Sequence, residues 1–540
     1  MKSRIAYVSQ PSPGPYDGKR LSPWRVLLGI LILAAIVAAA IFGYRFFANE
    51  QVRGDVSAPW FAPYVDVTVT PTYAFEKPAN NADLDVVLAF VVAQSATSCT
   101  PSWGAAYTMD EAAQNLDLDR RIQRLRNQGG DVVVSFGGAA NTELAKACTQ
   151  DAALQQAYAS VIDRYAVSTI DLDIEQGNLT DPVAGLRRAV TIAAVQKQMR
   201  AEGKPLAVWL TLPVSPSGLT ADGQQAVTQM LQSGVDLAGV NAMTMDYGTN
   251  LGGQSMAQVS ISALRATERQ LSALYQQAGT SLTDATVWAK LGATPMIGQN
   301  DVSGEVFTID DAQQLNSFAQ SQHLGRMSMW SLNRDRACGT NYADPTVVSN
   351  QCSGVDQGDT TFAQTLQPGF TAPPDASADK TTTPEASPVV TDNPSTSPYP
   401  IWSADATYLS GAKVVWKGNV YQAKWWTRGD NPDSPLANAD SWPWKLIGPV
   451  LPGETPYPQP TLAPGTYPAW DPQTVYTAGN RIMFQGVPYE AKWWTRGDNP
   501  AAQSTNPDGS PWIPLTAKQI EDINSGASPA VSPTPAPPAG

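Results

Sequence analysis

In the segment Ile170-Asp171-Leu172-Asp173-Ile174-Glu175, apolar and acidic side chains alternate without a break. Successive side chains of a β-strand point to opposite faces, so all three acids would share one face, spaced roughly 6.6 Å apart. The intervening Ile170, Leu172 and Ile174 would face an apolar layer. Like charges on one covered face repel, and an ordinary structural strand avoids them. They are useful where a raised pKa keeps one acid protonated as a general acid. The alternative, a solvent-facing strand, is disfavoured because strands in an alternating βα pattern are covered on both sides.

That alternating pattern runs from residue 66 to about 362. Strands are predicted at 64–69, 84–93, 131–136, 168–175, 206–212, 236–245, 286–292 and 326–332. Amphipathic stretches lie between them, at 118–128, 182–200, 256–276 and 310–323. Eight βα units point to a TIM barrel, an α/β fold whose reactive groups sit at the C-terminal strand ends. A doubly wound sheet is the fallback, but no G-x-G-x-x-G follows the first strand.

Composition excludes several chemistries. The chain has 540 residues, a net charge of −13 and a single histidine, His323. The acidic balance argues against nucleic acid. A two-histidine metal motif cannot exist, and His323 sits at a predicted helix end, where capping is its expected role. No metal and no cofactor are expected. The four cysteines, Cys99, Cys148, Cys338 and Cys352, form no C-x-x-C. In an exported chain they suggest two disulfides, with three possible connectivities. Cys99–Cys148 and Cys338–Cys352 would each join loops that lie close in the barrel reading; free buried thiols are the alternative.

Residues 26–44 form an apolar run interrupted only by Gly29 and Gly43. Its length suits a bilayer span of roughly 20 residues. Lys2, Arg4, Lys19, Arg20 and Arg25 precede it, which keeps residues 1–25 cytoplasmic and exports the rest. A membrane-anchored protein with an extracellular body is expected; secretion after cleavage is the alternative.

Residues 366–397 and 450–465 read as Pro-, Thr- and Ser-rich linkers, and 526–540 as a low-complexity tail. Between them lies a repeat. Tyr421-Gln422-Ala423-Lys424-Trp425-Trp426-Thr427-Arg428-Gly429-Asp430-Asn431-Pro432 recurs 68 residues later as Tyr489 to Pro500 with one change, Gln422 to Glu490. The units span 398–449 and 466–516 and hold ten of the chain's 16 tryptophans. So small a core cannot hide that much aromatic surface, so several rings must be exposed, where they suit the apolar faces of sugar rings.

Asp171, Asp173 and Glu175 resemble the end of the D-x-x-D-x-D-x-E signature of family 18 glycoside hydrolases, the chitinases. Ser168 stands at the first position and Thr169 where Gly is common. Ser135-Phe136-Gly137-Gly138 is similar to the family's S-x-G-G element, and Met243 to Gly248 to its M-x-Y element. The barrel region, expected at 57–365, resembles the bacterial chitinase D-like branch over roughly residues 60 to 365. The resemblance implies Glu175 as general acid, Asp173 beside it, Asp171 deepest, and Tyr247 holding the substrate's N-acetyl group. It places Trp330 under the reacting sugar and makes Asp246 a further substrate-binding residue. The repeat units resemble chitin-binding modules of carbohydrate-binding families 5 and 12, marked by A-K-W-W-T. By that analogy one member of each pair, Trp425/Trp426 and Trp493/Trp494, is core and the other faces sugar, helped by Tyr408 and Tyr476.

The expected protein is a monomeric, exported chitinase of α/β class: one transmembrane helix, a TIM barrel, then two small all-β modules. Two other readings are a non-catalytic chitin-attachment protein and an endo-β-N-acetylglucosaminidase acting on N-glycans.

Overall fold

The computed structural model describes residues 24, 58–248, 251–280, 282–374, 392–433, 442–451, 453–454, 462–463, 465–484, 486–500, 510–515 and 517–526. The expected anchor at 26–44 lies outside these residues, as do most of 1–25, residues 375–391 of the first expected linker, most of the second, and 527–540. Among the described residues no helix is long and apolar enough to cross a membrane.

Eight parallel strands close a barrel. They are β1 (Trp60–Phe61 continuing as Tyr64–Asp66), β2 (Val86–Ala93), β3 (Val132–Gly137), β4 (Thr169–Asp173), β5 (Ala207–Ser215), β6 (Leu237–Met243), β7 (Leu291–Thr294) and β8 (Arg326–Met327). Each pairs in parallel with its neighbour. Closure rests on β1: Ala62 and Tyr64 donate to the carbonyls of Met327 and Met329 on one side, and Val87 donates to Pro63 on the other. Helices α1 (Leu118–Arg126), α2 (Asp151–Tyr165), α3 (Pro182–Ala201), α4 (Ala221–Gln232), α5 (Met256–Gln277), α6 (Asp284–Ala289), α7 (Ile309–Gln322) and α8 (Phe362–Leu366) follow the strands.

The strand expected at 286–292 is a correction. Its Thr, Val and Trp have strand composition, but Thr283 caps a helix there by accepting from the Thr286 N–H, with Asp284 in the first turn. The real strand is Leu291–Thr294. Its small residues answer to the barrel interior: a Cβ on Gly292 would lie 2.9 Å from Asn241 Oδ1 and 3.3 Å from the Trp209 ring.

The first linker is also shorter than expected. Phe370 is buried in the barrel core. Ala372 donates to the carbonyl of Pro59, and Thr169 donates its hydroxyl to that of Pro374. The barrel's packed chain therefore runs to residue 374. Its apolar residues at 366 and 370 were masked by the Pro- and Thr-rich composition around them.

Two apolar layers result. Ile170, Leu172 and Ile174 are fully buried between strands and helices. Inside the barrel, Trp60 and Trp209 pack edge to face, with ring centroids 5.6 Å apart. Cys99–Cys148 and Cys338–Cys352 are disulfide-bonded. His323 ends α7 in a left-handed conformation, with φ of 59°.

The repeat units are two copies of one small fold. Each has a three-stranded antiparallel sheet: β9 (Lys413–Trp416), β10 (Asn419–Ala423) and β11 (Trp444–Pro449) in the first module, β12 (Arg481–Phe484), β13 (Val487–Ala491) and β14 (Trp512–Pro514) in the second. A helix, α9 (Ala517–Asn524), follows the second.

Candidate active site

Strand β4 carries the acids as the alternation requires. Exposure rises outward: Asp171 is sealed, Asp173 nearly so, and Glu175 is partly open at the strand's mouth. Register aligns Asp171 with Ser135 on β3 and with Trp209 on β5; Asp173 aligns with Gly137 and Thr211.

Asp171 is saturated with donors. Tyr64 Oη (2.8 Å) and Ser135 Oγ (2.7 Å) donate to Oδ2. Thr211 Oγ1 and Arg326 Nη1, both at 2.6 Å, donate to Oδ1. Arg326 is itself fully buried, bonded to Tyr64 Oη (3.0 Å) and Ser328 Oγ (2.9 Å). Its guanidinium lies 4.9 Å from the Trp60 ring centroid and 5.6 Å from that of Trp209. A charge at the barrel axis is thus paired, hydrogen-bonded and ringed by aromatic faces, as a buried ion must be.

Asp173 is different. Its Oδ1 is buried and has no partner among the described residues. Burial, then the charges of Glu175 and Asp171, push its pKa well above the usual carboxylate range. Burial, then Asp246 and Asp301, raise Glu175 to about 7. A strand with one donor-saturated acid, one whose pKa is pushed up by burial and its neighbours, and one raised to about 7 at the mouth can exchange a proton there.

Asp246 lies close enough to perturb Glu175, and its carboxylate accepts from the Val302 N–H at 2.9 Å. Trp330 follows β8, partly exposed. It stacks on Phe90 with centroids 5.4 Å apart and meets Tyr64 edge-on at 6.0 Å. Tyr247 requires a correction. Its hydroxyl donates to Ser260 Oγ on α5 (3.1 Å), and its ring is buried in the layer between strands and helices. Its N–H and that of Gly248 both donate to Glu305. The resemblance to the M-x-Y element could not reveal on which side of the strand end the ring would fall.

Sequence reasoning missed Tyr64, Thr211, Asn241 and Arg326, and placed Ser135 in the S-x-G-G element without a role of its own. Asn241 donates to Thr211 Oγ1 (3.0 Å) and Thr294 Oγ1 (2.7 Å), which completes the network. The available signal was parity: polar residues recur at inward positions of strands that are otherwise apolar.

The modules overturn part of the expected division of their tryptophans. Trp493 and Trp494 are 43% and 62% exposed, so the second pair contributes no core member; in the first, Trp425 is 39% exposed and Trp426 is half-buried with its indole nitrogen covered. The core indoles are Trp444 and Trp512, which donate to the carbonyls of Asp430 and Asp498, each at 2.8 Å. Tyr408 and Tyr476 pack edge-on against them and are buried, with their hydroxyls held by the backbone of Ser403 and Asp471. They are structural partners rather than surface helpers.

Comparison with known proteins agrees with this organisation. The model of carbohydrate-binding module family 5/12 matches residues 401–445 and 469–512. A probable bifunctional chitinase/lysozyme of Escherichia coli K12 is 35% identical over 349 residues, covering 62% of this chain and 36% of that protein. Endochitinase 11 of Metarhizium anisopliae is 34% identical over 344 residues, covering 61% of this chain and 60% of that one. The chain thus spans about a third and three-fifths of these relatives. The solved catalytic domain of a Pyrococcus furiosus chitinase is 29% identical, with a TM-score of 0.48 over 58% of this chain and 94% of that domain. The region that folds as the barrel is thus similar to chitinases, and each repeat unit matches carbohydrate-binding module family 5/12.

Proposed function

We propose that the protein hydrolyses β-1,4 bonds between N-acetylglucosamine units of chitin with retention of configuration. The carrying observation is the graded acid face of β4, where Glu175 at the mouth titrates near 7 and Asp173 beneath it keeps an unpartnered oxygen. Family 18 is an exception to the two-carboxylate rule, because the substrate supplies the nucleophile. Glu175 protonates the leaving glycosidic oxygen. The acetamido carbonyl of the sugar attacks its own anomeric carbon. The free Asp173 oxygen accepts the amide N–H as positive charge develops on the acetamido group. Glu175 then takes a proton from water, which opens the ring intermediate from the same face. Asp171, with its lone pairs occupied, fixes the strand and its electrostatics. Trp330 offers an aromatic floor. Tyr247 is left out of this scheme because its hydroxyl is engaged on Ser260.

The two modules hold the enzyme on insoluble chitin through Trp425, Trp426, Trp493 and Trp494. Two disulfides suit an oxidising, extracellular setting. We assign residues 26–44 as the anchor that keeps a monomeric enzyme at the cell surface. The test is hydrolysis of chitin oligosaccharides by the full chain beside Glu175→Gln, with at least a roughly 10²-fold loss expected in the variant. Turnover retained by the variant would remove Glu175 from its role. Binding to chitin beads without turnover by either protein would instead make this an attachment protein. Preference for an N-glycoprotein over chitin oligomers would make it an endo-β-N-acetylglucosaminidase.

A further inference from the structure

The two modules are copies, yet the same face of each is covered by a different partner. In the second module, Tyr467, Met483 and Leu515 form an apolar patch that packs against Ile520 and Ile523 of α9. The equivalent residues of the first module, 68 positions earlier, are Tyr399, Val415 and Ile447, and they cluster in the same way. Among the described residues no helix follows there. Instead α1 of the barrel lies against β11. Arg120 of α1 donates to the carbonyl of Pro449 and pairs with Glu454, and Arg124 donates to the carbonyl of Leu446. The Arg120 guanidinium also sits 5.9 Å from the Tyr399 ring centroid.

Side chains at matching positions follow this difference. Lys413 in the first module reaches out to Asp117, at 2.7 Å, just before α1. Its counterpart Arg481 turns inward to Glu490 at 2.8 Å and Tyr467 Oη at 3.1 Å. Gly448 admits α1 closely: a Cβ there would lie 2.7 Å from the carbonyl oxygen of Arg120. The corresponding residue of the second module is Thr516. Arg120 is 4% exposed and Glu454 14%, so this is a covered ion pair rather than a surface one.

We propose that the first module is a fixed part of the catalytic unit, docked on α1 through the Arg120–Glu454 and Asp117–Lys413 pairs, whereas the second, whose equivalent face is filled by α9, is an independent tethered binder. The chain then carries one chitin-binding surface at a set position beside the barrel and one that searches. This reading does not depend on the reaction, and its primary test does not use activity.

The test compares the full chain with Arg120→Glu, Glu454→Arg and the double exchange. Scanning calorimetry and small-angle scattering are the readouts. The wild type should melt its barrel and first module together. Each single exchange should leave a buried like-charge pair, split off a separate module transition and enlarge the radius of gyration. The double exchange, with the pair restored in reverse, should recover the joint transition and the smaller radius. Turnover of soluble chitin oligomers should be unchanged throughout, and action on insoluble chitin should fall by about threefold or more in the singles only. Single exchanges with wild-type melting and scattering would overturn the docking, as would a double exchange no better than the singles. Glu454 lies outside both folded cores, so Glu454→Arg decides the matter even where Arg120→Glu disturbs the barrel.

Discussion

The N–H of Gly138 donates to the carbonyl of Asp173 at 2.8 Å, while its Cα presses against Phe90 so closely that a Cβ would lie 2.7 Å from the ring. The residue also has φ of 85°, a conformation that side chains with a Cβ resist. Gly138 thus ties the end of β3 to the central acid and sets the height of the Phe90–Trp330 stack. Gly138→Ala should cost roughly 1–3 kcal/mol of stability. It should also lower kcat/KM on chitin oligomers by about tenfold or more, through displacement of Trp330. Thermal unfolding and steady-state kinetics check both; an unchanged kcat/KM in a correctly folded variant would separate the platform from the reaction.

Glu175 links pH to both rate and stability. Its pKa is raised from 4.5 to about 7 in the folded protein. Between those values the folded state binds the proton that the unfolded state has released. Stability from this group is therefore full below about pH 4.5 and is lost as pH rises through about 7. Above pH 7 the wild type carries an ionised carboxylate close to Asp246 and Asp301, and Gln does not. Glu175→Gln should be more stable than the wild type at pH 8 by about 2–3 kcal/mol and equal to it near pH 4. In the wild type, loss of the protonated acid should put a descending limb in kcat near pH 7. A pH-independent stability difference would refute this linkage.

Arg326 and Asp171 form an ion pair at 2.6 Å with both side chains fully buried. Removing one partner strands the other charge inside the barrel. Arg326→Met should cost about 3–5 kcal/mol. The double variant Arg326→Met, Asp171→Asn removes both charges and should recover a good part of that loss. Denaturant unfolding of the four proteins closes the cycle. Equal destabilisation in the double and single variants would show that packing around the guanidinium, not charge, dominates.

These residues also mark where sequence reading stopped. The acids of β4 were legible because period-2 alternation is local and carries its own facing. The eightfold βα pattern was legible for the same reason, repeated along the chain. Arg326 was not, because it sits 155 residues from Asp171 and becomes its partner only when the barrel closes. The strand at Leu291–Thr294 was mislaid because its Gly and Ala suit a crowded axis rather than a strand propensity scale. Tyr247 was assigned through resemblance to the M-x-Y element, and a motif match does not carry the left-handed turn at Asp246, with φ of 47°, or the burial of the ring on the helix side. The module tryptophans were correctly counted as too many to bury. Which of them fill the cores was not legible, because Trp444 and Trp512 meet Tyr408 and Tyr476 and the carbonyls of Asp430 and Asp498 only once each sheet has formed.

That division predicts opposite consequences for tryptophans of one module. Trp494 is 62% exposed and Trp512 2% exposed, though both belong to the second sheet's surroundings. Trp494→Ala removes a ring that contributes little to the fold, so stability should stay within about 0.5 kcal/mol of the wild type. Its loss should fall on chitin binding, at about 1 kcal/mol or more, which is roughly a fivefold weaker adsorption isotherm. Trp512→Ala should instead lose about 3–5 kcal/mol from the module, since it empties the core beside Tyr476 and strands the Asp498 carbonyl. Neither change should alter turnover of soluble oligomers, because the barrel is untouched. Adsorption to chitin beads, module melting and soluble-substrate kinetics read the three effects separately. Unweakened adsorption in the Trp494→Ala, Trp493→Ala double variant would move the sugar-binding surface off this face.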